Sequence, residues 1–360
     1  MTFLVAAAGT GGHVFPGLAV GEALVDRGVP RSDVLFVGGS RLEARVYPEE
    51  GFPFLELELR GLRRSLSLQN LALPLIYKRA RDRVVQAIRE RDVRAVLGMG
   101  GYVTIPVGLA ARALRVPFFN SEQNANAGLA NKVAARWARR TFGSFPETSG
   151  LPSAEWVGNP VREPFWHFDR DALRPIGLTH YGLDPNIPVL GVVGGSLGAG
   201  AINQAVIEFL RGWDGPDVQV VHVTGERFYD EISGLSAPSG VTWVRLGFEP
   251  AMEVFYSVTD LVIARAGGAV AELTATGTPA ILVPGDFGSG GHQLGNARFV
   301  TDAGAAVTIQ ESLVTASLGE VVRTTLLSAD VLSTMRLRAK RIARPNAAHT
   351  IADVLIEAEL

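Results

Sequence analysis

Three times in this chain an apolar run ends in glycines and passes into a helical pattern. Phe3–Ala8 leads into Gly9-Thr-Gly-Gly-His13 and then Leu18–Leu24. Ala95-Val-Leu97 leads into Gly98-Met-Gly-Gly-Tyr102, and Pro188–Val193 into Gly194-Gly-Ser-Leu-Gly-Ala199. A strand, a glycine turn and a helix N-terminus together aim unpaired backbone N–H groups at an anion, phosphate above all. One such turn serves equally well as a tight connection, so the weight rests on the set of three. Two turns lie in the first half and one in the second, which implies two nucleotide-binding-like domains holding two phosphorylated ligands. No turn fits G-x-x-x-x-G-K-[ST], so P-loop hydrolysis of ATP is unsupported. The first turn departs from G-x-G-x-x-G, and the stretch 26–36 has no strand ending in an acid for a ribose, which weakens a dehydrogenase reading.

A length of 360 residues with 47% hydrophobic and 19% charged content suits two domains with ample cores. A net charge of −2 gives no overall pull toward nucleic acid, and no nucleic-acid partner is expected. The absence of cysteine excludes disulfides, thiolate nucleophiles and Cys-ligated zinc. Phe3–Ala8 is too short for a signal-peptide core or a membrane span and reads as a buried first strand in a cytoplasmic protein.

Short apolar runs alternate with helical patterns, the sequence form of parallel sheets with crossover helices, so the fold class is α/β. Expected strands are Phe3–Ala8, Val34–Gly38, Phe54–Leu57, Ala95–Gly98, Pro117–Asn120 and Thr141–Gly143 in the first half. The second half offers Val189–Val193, Val218–Thr224, Thr242–Leu246, Leu261–Ala264, Ala280–Val283 and Ala306–Ile309. Ala201, Ile202, Ala205, Val206, Phe209 and Leu210 form one apolar helical stripe closed by Gly212. Gly158-Asn-Pro-Val-Arg-Glu-Pro164 and then Phe165–Ile187 read as an interdomain linker, and Asn346–Leu360 as a terminal helix. The expected domains are 1–160 with 345–360, and 161–344.

Several side chains are placed for chemistry. His13 ends the first glycine turn, where an imidazole suits a general base toward a sugar hydroxyl, or alternatively orients the loop or a phosphate. Ser121-Glu-Gln-Asn124 follows an expected strand, so it either faces the ligand crevice or caps the helix Leu129–Arg139. Arg265-Ala-Gly-Gly-Ala-Val-Ala-Glu272 brings a glycine pair and a helix N-terminus to a ligand, with the Glu272 carboxylate able to accept both ribose hydroxyls. Gly291-His-Gln-Leu-Gly-Asn296 reads as a mobile lid over a polar ligand or as a plain surface loop. Asp169-Arg-Asp171 lies in the expected linker and the histidines are scattered, so no metal site is expected. Leu71, Leu73, Leu75, Ile76 and Tyr77 beside Lys78, Arg79, Arg81 and Arg83 suit an anionic membrane surface. The competing reading is a helix burying Tyr77, Ala80, Val84 and Ile88.

These motifs, in this order, resemble the MurG family of glycosyltransferases. The resemblance runs from Gly9-Thr-Gly-Gly-His13 through Gly98-Met-Gly-Gly-Tyr102, Glu122-Gln-Asn124, Gly128-Leu129, Asn131-Lys132 and Gly158-Asn-Pro-Val-Arg162. It continues through Gly194-Gly-Ser196, Gly198-Ala199, Arg265-Ala-Gly267, Glu272, His292-Gln293 and Asn296-Ala297. It implies a GT-B fold, two Rossmann-like domains facing across a cleft. It also implies inverting, metal-independent and cofactor-free transfer of N-acetylglucosamine from UDP-GlcNAc to the muramoyl 4-hydroxyl of lipid I. His13 would be catalytic. Donor contacts would come from Thr10, Gly11, Gly12, Asn124, Arg162, Ser196, Phe248, Glu249, Gly268, Ala269, Glu272, His292 and Gln293. Acceptor contacts would come from Gly9, Gly100, Gly101, Tyr102, Glu122 and Gln123. Leu75, Ile76, Lys78 and Arg79 would meet the anionic inner face of the cytoplasmic membrane, with cell-wall synthesis proteins as further partners. A UDP-GlcNAc 2-epimerase, sharing fold and donor, and a non-enzymatic nucleotide-sugar-binding regulator are the alternatives. Ser121 stands where the family usually has His, and Leu197 where it usually has Gln.

Overall fold

A computed structural model of the protein describes residues 1–59, 73–195, 198–285 and 291–358. The chain forms two units, Met1–Glu163 with Pro345–Leu360, and Pro164–Arg344. The first division falls after Glu163, slightly beyond the position expected from the proline-rich stretch.

The first unit runs β1 (Thr2–Ala6), α1 (Gly11–Asp26), β2 (Val34–Gly38), α2 (Leu42–Glu49), β3 (Phe54–Glu56), α3 (Leu73–Glu90) and β4 (Val93–Gly98). It continues with α4 (Thr104–Leu114), β5 (Phe118–Glu122), α5 (Leu129–Ala134), β6 (Arg140–Gly143) and β7 (Glu155–Trp156). Its parallel sheet has the order β3-β2-β1-β4-β5-β6-β7. Helices cover both faces of such a sheet, which is why β1, Thr-Phe-Leu-Val-Ala, is buried at every position instead of alternating.

The second unit opens with α6 (Arg170–Tyr181), followed by β8 (Val189–Val193), α7 (Gly200–Arg211), β9 (Val218–Val223), α8 (Glu226–Ser233) and β10 (Val241–Leu246). Then come α9 (Met252–Val258), β11 (Leu261–Ala264), α10 (Ala269–Thr276), β12 (Ala280–Leu282), α11 (His292–Asp302), β13 (Ala306–Thr308), α12 (Val314–Leu326) and α13 (Ala329–Ile342). This parallel sheet is ordered β10-β9-β8-β11-β12-β13. The last helix, α14 (Ala347–Glu357), belongs to the first unit. It buries Ala348, Ile351, Ala352 and Leu355, and its polar edge pairs with the end of α1. Arg27 donates to Asp353 at 2.6 Å, and His349 Nε2 lies 3.0 Å from Asp26.

Both sheets share one topology. The chain steps outward from the first strand, then returns to lie on that strand's other side. The turns after β1 and β4, and those after β8 and β11, therefore flank the point where the crossovers reverse direction. Ligands of open α/β sheets bind at this point, outside the carboxyl ends of the strands. The three glycine turns, together with the Arg265–Gly268 turn, all sit there.

Four expectations are corrected. Phe165–Ile187 is not simply linker, because α6 lies within it. Asp169 accepts from the Asp171 and Ala172 N–H groups to start that helix, Gly182 at φ +66° ends it, and Arg170 and Arg174 pair with Asp260. The close pass of Gly177 over Val258 seats α6 on α9, since a Cβ there would lie 2.4 Å from Val258 Cγ1. β5 extends through Glu122, so Ser121 and Glu122 lie inside the strand. α5 stops at Ala134 instead of Arg139, and the Arg139 N–H bonds the Phe118 carbonyl as the chain turns into β6. The segment from His292 is the start of α11 and not a loop. Its entry is fixed by Gly291 at φ +64° and by the Gln293 side-chain amide oxygen, which accepts from the Gly285 N–H at 2.8 Å.

His222 is fully buried in β9. Asn203 orients it: the amide nitrogen of Asn203 donates to the Thr224 carbonyl, so its oxygen accepts from His222 Nε2 at 3.0 Å. Burial, aided by Arg245, lowers the imidazole pKa from 6.5 to about 3. The unfolded chain therefore takes up this proton first as pH falls, and the stabilisation present above pH 6.5 is lost progressively toward pH 3. In urea titrations, wild type should lose about 2–3 kcal/mol more than His222→Gln between pH 6.5 and 4.5. Parallel losses in the two proteins would contradict this.

Candidate active site

In the first unit, Gly9 at φ +106° turns the chain from β1 toward α1, and Thr10 occupies the N-cap position in extended conformation. The Thr10 side chain does not cap the helix. Its hydroxyl lies 3.2 Å from His13 Nδ1, while the His13 and Val14 N–H groups bond the Thr10 carbonyl. The N–H groups of Gly11 and Gly12 remain at the positive end of a 16-residue helix, where an anion is favoured.

The turn after β4 packs against this one. Gly100 and Gly101 have φ +95° and +77°, and a Cβ on Gly101 would lie 2.5 Å from the Ala8 carbonyl oxygen. A Cβ on Gly100 would lie 2.7 Å from His13 Cδ2 and 3.2 Å from Asn131 Nδ2, so the imidazole rests on a surface that only glycine leaves open. Tyr102 approaches Gly9 and Gly39. Burial raises its phenol above the ordinary value, with Glu43 adding to the effect and Arg41 opposing it.

Of the residues expected to meet the acceptor, Glu122 and Gln123 are turned inward. One oxygen of the buried Glu122 carboxylate accepts from the Asn124 backbone at 3.0 Å and its amide at 3.1 Å. The other accepts from the Gly128 N–H at 2.9 Å and from Asn131 at 2.8 Å. Glu122 thus fastens the loop ahead of α5, including the Gly128 N-cap. Gln123 is buried and donates to the Ser121 carbonyl and hydroxyl. Arg162, expected near the donor diphosphate, lies in the first unit. It donates to Glu22 at 2.6 Å and to Glu50 at 2.8 Å, so two carboxylates already neutralise it.

In the second unit, Gly194 and Gly195 follow β8, and Gly198 at φ +71° passes so close to Thr224 that a Cβ would lie 2.3 Å from its carbonyl oxygen. Ser196 and Leu197 lie outside the described residues. The neighbouring turn after β11 is open: a Cβ on Gly267 or Gly268 meets nothing within 4 Å, and Gly268 and Ala269 lead into α10. Glu272 stands in the first turn of α10 and accepts from the buried Tyr256 hydroxyl at 2.8 Å. Burial raises the Glu272 carboxyl above its ordinary value, against the pull of that hydrogen bond. Arg265 is structural. It donates to the Val283 carbonyl at 3.1 Å and pairs with Glu311.

The remaining donor-side residues divide. Phe248 is 53% exposed on the loop after β10. Its neighbour Glu249 is buried, accepting from Tyr181 at 2.6 Å and from the Ala251 N–H at 2.8 Å, so it shapes the loop that carries Phe248. His292 and Gln293 begin α11, and Asn296 donates to the Ala266 carbonyl at 3.0 Å, tying α11 to the Arg265–Gly268 turn.

The N-terminal domain model of glycosyltransferase family 28 matches residues 3–143, and the C-terminal domain model of that family matches 189–351. A UDP-N-acetylglucosamine--N-acetylmuramyl-(pentapeptide) pyrophosphoryl-undecaprenol N-acetylglucosamine transferase of Cupriavidus necator is 38% identical over 98% of this chain and 97% of its own. The crystal structure of MurG from Acinetobacter baumannii aligns with a TM-score of 0.79 at 30% identity, covering 99% of each chain. The chain belongs to the MurG family. UDP-GlcNAc 2-epimerase from Neisseria meningitidis covers 99% of this chain with a TM-score of 0.64, but at 13% identity it shares the fold alone.

Three side chains that organise this MurG-family site escape sequence reading. Glu43, Tyr256 and Tyr181 belong to no motif and act on Gly9, Glu272 and Glu249 from other helices of the chain. The contrast between two glycines is testable by thermal denaturation. Gly101→Ala meets both a left-handed backbone and the Ala8 carbonyl, and should lower stability by roughly 1–3 kcal/mol. Gly268→Ala, at φ −57° in open space, should melt close to wild type. Equal melting of both variants would contradict the account of the turn after β4.

Proposed function

We propose that the protein transfers N-acetylglucosamine from UDP-GlcNAc to the muramoyl 4-hydroxyl of lipid I, forming lipid II. It is an inverting, metal-independent hexosyltransferase. The observation that carries this reading is the full-length likeness to transferases of that activity, which spans every glycine turn at both switch points. The epimerase alternative is not favoured, because its likeness is to the fold alone.

The first unit takes the acceptor, with the glycine turns after β1 and β4 meeting its diphosphate. Gly11 and Gly12, which the resemblance places among the donor contacts, are reassigned to the acceptor because they open α1 of this unit. His13 removes the proton of the 4-hydroxyl. That oxygen bonds to the anomeric carbon as the bond to the UDP oxygen breaks, and UDP leaves with the electron pair. The role requires the lone pair on Nε2. His13 must then carry its proton on Nδ1 and donate it to the Thr10 hydroxyl, which lies 3.2 Å away. The second unit takes the donor. Glu272, steadied by Tyr256, accepts from the ribose hydroxyls, and Phe248 and the Gly267-Gly268 turn line the nucleotide. Ser196 and the N-terminus of α7 meet the departing diphosphate, while Gln293 and His292 face the sugar.

No described helix is long and apolar enough to cross a membrane. The second half of α3 buries Ala80, Val84 and Ile88, whereas at its start Leu75 is 51% exposed beside exposed Lys78 and Arg79 and half-buried Ile76. This end of α3 rests on the anionic inner face of the cytoplasmic membrane, where lipid I is anchored.

Purified protein should release UDP from UDP-GlcNAc only when lipid I is present. Formation of UDP-ManNAc would instead indicate an epimerase, and binding without turnover a regulator. His13→Ala should lower kcat by at least about 10²-fold with UDP affinity unchanged. Glu272→Ala should weaken UDP binding about 10–100-fold, the loss of roughly 1.5–3 kcal/mol of charge-assisted hydrogen bonding. If the two variants exchanged these phenotypes, the assignment of ligands to units would be reversed. Vesicle sedimentation tests the membrane contact: Leu75→Ser with Ile76→Ser should reduce binding to anionic liposomes and spare turnover of a short-chain soluble acceptor. Wild-type protein that ignores anionic vesicles at low salt would remove that contact.

A further inference from the structure

Glu43 is a buried acid with no assigned role, and three strand-end turns meet at it. It lies in the first turn of α2, with 0% of its surface exposed. One carboxylate oxygen accepts from the Gly39 N–H at 3.0 Å, just after β2, and the other is 3.4 Å from the Gly9 N–H, just after β1. The third turn, after β4, contributes Tyr102. A Cβ on Gly39 would lie 2.4 Å from the Tyr102 hydroxyl and 3.0 Å from Glu43 Oε1, and one on Gly38 would lie 2.6 Å from Glu43 Cγ. Glycine is therefore required at 38 and 39 to admit the acid and the phenol together.

No cationic side chain among the described residues lies within salt-bridge distance of Glu43. An uncompensated carboxylate is costly to bury, and here it is held by backbone N–H groups and the N-terminal end of a helix. Such an arrangement stabilises one conformation of the chain around the acid. The N–H it draws inward, that of Gly9, belongs to the same turn whose next N–H groups, Gly11 and Gly12, stand open at the start of α1.

We propose that Glu43 is the positioning residue of the acceptor turn: by holding Gly9 and Gly39 it sets the direction in which Gly11, Gly12 and His13 face the acceptor diphosphate and its hydroxyl. The inference rests on the transferase reading above. It concerns binding geometry, since Glu43 is too deeply enclosed to touch substrate. A glutamine of the same shape keeps one accepting oxygen but points an NH2 group at the second N–H, so one contact becomes repulsive.

The test is steady-state kinetics of Glu43→Gln with a soluble lipid I analogue, alongside calorimetric titration with UDP and thermal melting. A raised acceptor KM of about 10-fold or more with a lowered kcat, an unchanged UDP dissociation constant and recovery of most activity in Glu43→Asp would support the proposal. Unchanged acceptor KM and kcat in a folded variant would overturn it. Equal weakening of acceptor and UDP binding, or loss of activity that follows the melting temperature alone, would also overturn it by making Glu43 merely structural. Wild-type protein that binds UDP but forms no product from lipid I would instead refute the transferase reading.

Discussion

Backbone N–H groups left without partners at helix N-termini are the feature on which the rest of this protein depends. They can be presented to a phosphate only where no side chain intervenes, so the strand ends that carry them are stripped to glycine. At Gly101 the constraint is the Ala8 carbonyl, at Gly100 it is the His13 ring, and at Gly198 it is the Thr224 carbonyl. Removing side chains also removes the packing that would otherwise hold these turns. The polar groups behind them supply the missing rigidity: Glu43 beneath the first turn, Glu122 and Asn131 beside the second, Tyr256 behind Glu272 and Asn296 behind the turn after β11. Preorganised donors of this kind need not reorganise when they meet an anion.

Helix α1 illustrates how one element serves both chemistry and architecture. Its first turn carries His13 and the open N–H groups. Its later turns carry Glu22, which binds Arg162 and the Glu163 N–H where the chain leaves the first unit. At its end, Asp26 and Arg27 hold His349 and Asp353 of α14, just after the chain returns. The exposed Arg27–Asp353 pair contributes little. The Glu22–Arg162 contact is different in kind, because Glu22 is only 9% exposed and removing Arg162 would leave a desolvated charge.

Much of this was legible in the sequence because strand cores and glycine turns are local signals. Val34–Gly38, Val189–Val193 and Leu261–Ala264 have the bounds that their apolar runs imply. The failures share a physical cause, which is that the deciding partner is remote. The Asp169–Gly182 stretch looks like linker until Asp260 and Val258 arrive to seat it. β7 is too short to stand out from its surroundings and exists only by pairing with β6. The motifs around Glu122 and Arg162 mark a ligand site, and in the fold their charges are met by Asn131, Gly128, Glu22 and Glu50.

The serine at position 121 sharpens the assignment of proton transfer. The resemblance to the MurG family would place an imidazole there, at the end of β5. Here the position is 1% exposed, its carbonyl accepts from both Gln123 and Asn131, and its hydroxyl lies 3.3 Å from the Gln123 amide. A serine hydroxyl so enclosed has neither the proton affinity nor the access to act on a substrate near neutral pH, and the strand remains in register without a ring. The proposal of proton removal therefore rests on His13, the histidine that the glycine turns bring to the switch point of the first sheet. Thr10 and Gly100 hold that ring from its two sides.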